Sequence, residues 1–316
     1  MVELIDEHWG IQISSLRFIR NEDKQIAEVM DSHQHIYIVK GEQQLDEEVE
    51  AICQFANTMK QILPTTTYIQ TKNTKYTVHA NKLVYTLETK LFGDEIQYIN
   101  DSIITEIATQ LATAHQFAFK EQLRLHKATS WSMFGGNKTM AIGDYDENEL
   151  SFQDFKQAFQ AHPCLPTLKK LYDDHRAKLQ SLWPKLPKAA TQGDFCYYNM
   201  LFQHNKMKAI FDFNLAGDEV LINESVAVGI YLCWHVVYEG NLTSDERFEL
   251  YRNSYEKIRP FTALEIEAFP HLFAIIRAFR YDRVDQGIEN FGGHEDFIQQ
   301  TKIILENCSY TKKEHA

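Results

Sequence analysis

Three oxygen-bearing side chains stand close together in one stretch of the chain. Asp194 follows Gly193, Asn199 comes just before the run Met200-Leu201-Phe202, and Asp212 ends the run Ala209-Ile210-Phe211. The two apolar runs suit short strands. Folded as a hairpin, they bring Asn199, at the start of one strand, beside Asp212, at the end of the other. A carboxylate and an amide oxygen side by side suit Mg2+, which takes oxygen ligands and keeps places for water and phosphate oxygens. Asp194, on the loop leading in, then lies beside the metal as a carboxylate able to accept a hydroxyl proton.

The elements around this stretch are mostly helical. Apolar spacing predicts helices over 103–117, 152–160, 166–183, 225–239, 244–258, 263–287 (broken near Pro270) and 295–308. The first ninety residues differ. Strands are expected at 11–19, 25–30, 35–40, 66–70, 75–79 and 83–89, with a helix from Leu45 to Met59 ended by Pro64. The expected fold class is therefore α+β in two lobes: residues 1–89 as a small antiparallel β lobe with one helix, and residues 90–316 as a larger helical lobe.

Gln192-Gly193-Asp194, four residues, Asn199, then a strand ending Asp212-Phe213 resembles the catalytic segment of the aminoglycoside phosphotransferase, choline kinase and homoserine kinase type II group, small-molecule kinases of protein-kinase-like fold. Tyr37-Ile38-Val39-Lys40 is similar to their third strand with its phosphate-binding lysine. Leu91-Phe92-Gly93-Asp94 is similar to the turn into the large lobe, and Leu111-Ala112-Thr113-Ala114-His115 to that lobe's first long helix. The resemblance implies an ATP- and Mg2+-dependent transfer of the γ-phosphate to a hydroxyl of a small metabolite. It implies Asp194 as the catalytic carboxylate, Asn199 and Asp212 as metal ligands, and Lys40 on the α- and β-phosphates. It also implies ATP in the cleft, with adenine near Leu87-Glu88-Thr89-Lys90, so that Glu88 and Lys90 join the cofactor-binding residues. Positioning and charge neutralisation dominate such chemistry.

The chain departs from that pattern in four places. Gln192 stands for the usual His. The loop Arg20-Asn21-Glu22-Asp23-Lys24 has no glycine. Asn214 stands where relatives often carry another acid. Ile52 occupies the place of the glutamate that pairs with the lysine, which leaves Glu50, flanking the apolar stripe, as the expected partner of Lys40. The glycine-free loop and the displaced glutamate also allow a catalytically silent nucleotide-binding protein. A protein Ser/Thr kinase of the same fold is the other alternative.

Composition narrows the partners. Asp plus Glu number 44 and Lys plus Arg 32, a net charge of −12 over 316 residues. Such a surface argues against general nucleic-acid binding and against docking on anionic lipid, and mildly favours an amine-bearing acceptor such as an amino alcohol, amino acid or aminoglycoside. The five cysteines are scattered without a CxxC pair, which reads as reduced thiols in the cytoplasm. The start MVELIDEHWG lacks a signal-peptide pattern, and the apolar stretch from Val226 to Tyr238 is too short to span a bilayer. The thirteen histidines form no HxxxH or HExxH pair, which leaves zinc catalysis without support. His115 reads as a structural helix-end histidine, Trp131, Trp183 and Trp234 as packing residues, and 144–149 as a solvated acidic loop.

Overall fold

The computed structural model describes residues 1–129, 132–135, 146–289 and 294–307. Trp131, Cys308 and the first two residues of the acidic run at 144–149 lie outside them. In chain order the elements are α1 (Val2–Trp9), β1 (Ile13–Asn21), β2 (Gln25–Asp31), β3 (Ile36–Glu42), α2 (Asp46–Met59), β4 (Thr77–Ala80), β5 (Leu83–Thr89), α3 (Asp101–Lys120), α4 (Glu147–Ala158), α5 (Leu165–Leu182), β6 (Lys188–Thr191), β7 (Met200–Gln203), β8 (Lys206–Ile210), β9 (Gly217–Val220), α6 (Leu221–His235), α7 (Ser244–Glu256), α8 (Ala263–Ala278), α9 (Tyr281–Glu289) and α10 (His294–Glu306). Among the described residues no helix is long and apolar enough to cross a membrane.

The chain divides into two compact units. The first holds Met1–Gln97, Leu123–Leu125 and Asp194–Ala216; the second holds the remainder. The hairpin segment thus groups with the N-terminal residues, a different division from the sequence boundary at 89/90.

The first unit is built on an antiparallel sheet in the order β1-β2-β3-β5-β4. Side chains alternate between its faces. Val39 of β3 and Leu83, Tyr85 and Leu87 of β5 pack with Ile5 and Trp9 of α1. This helix is an addition to the one expected in the N-terminal region. Gly41 belongs to the same face, because a Cβ there would lie 2.4 Å from the Tyr85 ring, whose hydroxyl donates to Gln25 Oε1. The even-numbered positions, Lys40 and Glu42 of β3 and Thr86 and Glu88 of β5, point to the opposite side. The expected strand at 66–70 is reduced to single bridges, Thr65 with Ile210 and Tyr68 with Glu88.

The hairpin β7–β8 turns at His204-Asn205, both left-handed (φ 53° and 59°), the turn whose twist suits a two-residue hairpin. A register shift near Leu201 and Phe202 adds a bulge.

In the second unit α6 is buried along almost its whole length, as expected of a helix apolar all round. Two others start with a capping box, Thr243 with Glu246 for α7 and Thr262 with Glu265 for α8. The break expected at Pro270 falls instead at Phe279-Arg280, and Pro270 lies inside α8. The carbonyl that its ring deprives of a partner belongs to Ile266, an exposed residue. β6 and β9 form an antiparallel ladder from Lys188↔Val220 to Thr191↔Gly217, which the sequence reading lacked.

Candidate active site

Lys40 sits on the face of the sheet away from α1, with its side chain 14% exposed. Its Nζ is 2.9 Å from Oε1 of Glu88, whose side chain is 5% exposed. Burial works against the ammonium, but the charges of Glu88 and then Asp212 outweigh it and hold its pKa above the ordinary lysine value. Glu42, two residues along the same face, adds to that field. Its Oε1 accepts from Asn214 Nδ2 at 3.0 Å, and its Oε2 takes Lys24 Nζ at 3.0 Å. The glycine-free turn thus supplies a lysine, and the residue two after Asp212 is tied to strand β3.

Asp194 and Asn199 meet directly. Asn199 Nδ2 donates to the Asp194 carboxylate Oδ2 at 2.8 Å and to its carbonyl at 3.1 Å. With the amide nitrogen so fixed, the amide oxygen is the atom left to face a ligand. The hairpin joins this pair to Asp212: Phe211 N donates to Asn199 O at 3.1 Å, next to the ladder pair Met200↔Ile210. Asp212 has a left-handed backbone, φ 60°. Aspartate tolerates that conformation better than most residues, and such strain gathers at functional sites. Phe213 behind it is fully buried, edge-to-face with Phe55 of α2.

One carboxylate and one oriented amide oxygen fit Mg2+ completed by water and phosphate oxygens. Among the described residues no three His, Cys, Asp or Glu side chains form a ready-made metal cage, and an ion sharing its shell with a nucleotide does not need one.

The loop before Asp194 is held within the second unit. Gly193 is left-handed, φ 85°, and its N–H donates to Glu224 Oε1 at 3.2 Å. Glu224 Oε2 lies 2.6 Å from His115 Nε2, whose Nδ1 lies 2.7 Å from the Tyr255 hydroxyl. That hydroxyl accepts from Arg259, which pairs with Glu265 at 2.7 Å. Burial lowers the His115 pKa although Glu224 opposes it. The ring is therefore neutral at pH 7, with Nε2–H toward Glu224 and Nδ1 accepting from Tyr255. His115 is fully buried in the body of α3, not at its end.

The structure relocates other expected residues. Glu50 is not the partner of Lys40. Its Oε2 accepts from Tyr76 N at 2.8 Å and Thr77 Oγ1 at 3.1 Å, pinning α2 to the start of β4. Lys90 forms an ion pair with Glu28 at 2.5 Å. The described part of the acidic run is the partly buried start of α4 rather than a solvated loop. Asp146 is buried, caps α4 and takes Arg176 at 2.6 Å, while burial pushes the Glu147 carboxyl up to about 7 despite Arg280. Trp183 packs against Phe134, and Trp234 against Phe248 and Phe273. Sequence reasoning missed Glu42, Lys24 and Glu224. The signal for Glu42 was its place two residues beyond Lys40, on the same strand face.

No family model matches the chain. Homoserine kinase from Caulobacter vibrioides is 30% identical over 114 residues, spanning 35% of this chain and 35% of that protein. The chain thus matches about a third of the length of this curated relative. Among solved structures, an amicoumacin kinase in complex with AMP-PNP, Ca2+ and Ami superposes with a TM-score of 0.64 at 11% identity, covering 97% of this chain and 91% of the other. An aminoglycoside phosphotransferase from Alicyclobacillus acidocaldarius gives 0.55 at 13% identity, covering 94% and 93%. A macrolide 2'-phosphotransferase from Brachybacterium faecium gives 0.54 at 11% identity, covering 99% and 98%. The chain has the α+β fold of these proteins, a small antiparallel sheet lobe followed by helices.

Proposed function

We propose that the chain is an ATP- and Mg2+-dependent phosphotransferase acting on a hydroxyl of a small metabolite. The observation that carries this reading is the grouping of Asp194, Asn199 and Asp212 in one compact unit with Lys40, whose ammonium feels the Asp212 charge. Asn199 and Asp212 would hold Mg2+, which supplies charge neutralisation at the phosphates. Lys40 binds the α- and β-phosphates. Asp194, steadied by the Asn199 amide, orients the acceptor hydroxyl and takes its proton as the phosphoryl group leaves. The Gly193–Glu224–His115 chain keeps the loop before Asp194 in place. The work asked of these residues is placement and electrostatics.

The fold neighbours and the homoserine kinase relative act on small molecules by name, which supports an amino alcohol, amino acid such as homoserine, or aminoglycoside as acceptor. The test is nucleotide consumption with Mg-ATP against panels of these compounds and sugars. Turnover with one class is the expected result, and binding of Mg-ATP with no turnover on any panel would oppose it. The Lys24–Glu42 pair favours a second reading, a nucleotide-binding protein without catalysis, because it places a carboxylate beside the phosphate-binding lysine.

A further inference from the structure

Lys40 needs a carboxylate to aim it. The helix after β3 offers four acids, Asp46, Glu47, Glu48 and Glu50. Glu47 and Glu48 are exposed, Asp46 forms no ion pair with Lys40, and Glu50 is committed to Tyr76 and Thr77. Cys53 of α2, fully buried, feels the Lys40 charge. Its thiol is pushed up by burial and then by the charge of Glu88, so it stays neutral. Among the described residues, the carboxylate within ion-pair distance of Lys40 is Glu88.

The register explains the meeting. Lys40 stands opposite Thr86 and Ile38 opposite Glu88, so Lys40 and Glu88 are diagonal neighbours on adjacent strands. At that spacing two long side chains reach one another. Tyr68, bridged to Glu88 and buried, has its hydroxyl pushed far up by burial and then by the same charge, so it adds no competing anion.

We infer that Glu88, a strand carboxylate, is the positioning residue that aims Lys40 at the nucleotide phosphates, in place of a helix glutamate. The inference rests on the phosphotransferase reading. Where a lysine is aimed by a helix acid, a swing of the helix can make or break the pair and so switch the enzyme. Here both partners belong to neighbouring strands of one sheet, and no movement of α2 is needed to form the pair. Lys40 is therefore aimed whenever the sheet is folded.

The test compares Mg-ADP with adenosine by calorimetric titration, since only the first carries phosphates for Lys40 to hold. Wild type is expected to prefer Mg-ADP. Glu88→Gln should lose roughly 10- to 100-fold in the ratio of Mg-ADP to adenosine affinity, the size of a charge-assisted hydrogen bond. A merely structural role would weaken both ligands alike. Glu88→Asp keeps the charge opposite Lys40 and guards against misfolding; it should show an intermediate loss. Wild-type preference for Mg-ADP in both variants would overturn the inference and leave the phosphotransferase reading intact. So would its loss in Glu50→Gln with retention in Glu88→Gln. Wild-type protein that binds neither ligand would instead remove the reading itself.

Discussion

Lys40 and Arg259 are both cations set against a buried carboxylate, one in each unit, and they serve opposite ends. Arg259 is enclosed. It pairs with the fully buried Glu265 at 2.7 Å and also donates to Tyr255, whose hydroxyl meets His115. Lys40 makes one ion pair at 2.9 Å among the described residues, on a partly exposed face, and an ammonium has three N–H bonds to give. Asp194 and Asp212 are likewise partly exposed. A charge cluster that closes on itself is scaffolding, whereas one with capacity left over is equipment for a ligand. The contrast predicts that substitutions around Lys40 cost activity and substitutions around Arg259 cost stability.

The largest effect tests the first half. Asp194→Asn should lower turnover about 10²–10⁴-fold, the usual worth of a placed general base, with Mg-ATP affinity and melting temperature close to wild type. Steady-state kinetics beside a melting curve would read both, and a large loss of stability with unchanged turnover would break the comparison. In the second unit, Glu265→Ala leaves the Arg259 charge buried without its partner. It should cost about 3–5 kcal/mol in denaturant unfolding. The smallest effect depends on pH. Burial raises the Glu219 carboxyl to about 7 from an ordinary 4.5, although Val220 N–H and Thr129 hold it. A raised folded-state pKa means that the folded chain keeps a proton the unfolded chain has lost. Its stability contribution is full below pH 4.5 and is lost as the pH rises through about 7. Glu219→Gln should therefore raise the melting temperature relative to wild type at pH 8 more than at pH 5. An equal change at both values would show that its ionisation does not matter.

The sequence was most legible where a residue's own neighbours decide its conformation. Leu83 to Thr89 is a strand over the expected residues, because its apolar and β-branched side chains are buried within the sheet. The hairpin runs on either side of His204-Asn205 likewise form as expected. Legibility failed where distant segments decide. Thr66 to Gln70 has strand-like residues but only single bridges. β6 and β9 are short and mostly buried, with Asp218 and Glu219 inside the second, so they carry none of the alternation that marks a half-exposed strand. The partner of Lys40 belongs to the same class of error. A helix acid follows from spacing along the chain, whereas Glu88 follows only from the β3–β5 register. Asp194, Asn199 and Asp212 could be singled out because one short stretch of sequence, a hairpin and the loop leading into it, carries them all.

The ladder between β6 and β9 has a consequence for how this protein could change. Thr191 and Gly217 are ladder partners, and a Cβ on Gly217 would lie 2.5 Å from the backbone of Ala128, so that rung has no slack. The stretch between these two strands in the sequence carries the β7–β8 hairpin. Within that hairpin the exposed turn at His204-Asn205 can lengthen for about 0.6 kcal/mol per doubling of loop length while the β7–β8 ladder stays as it is. Insertions at that turn are a route to new contacts that leaves the spacing of Asp194, Asn199 and Asp212 untouched.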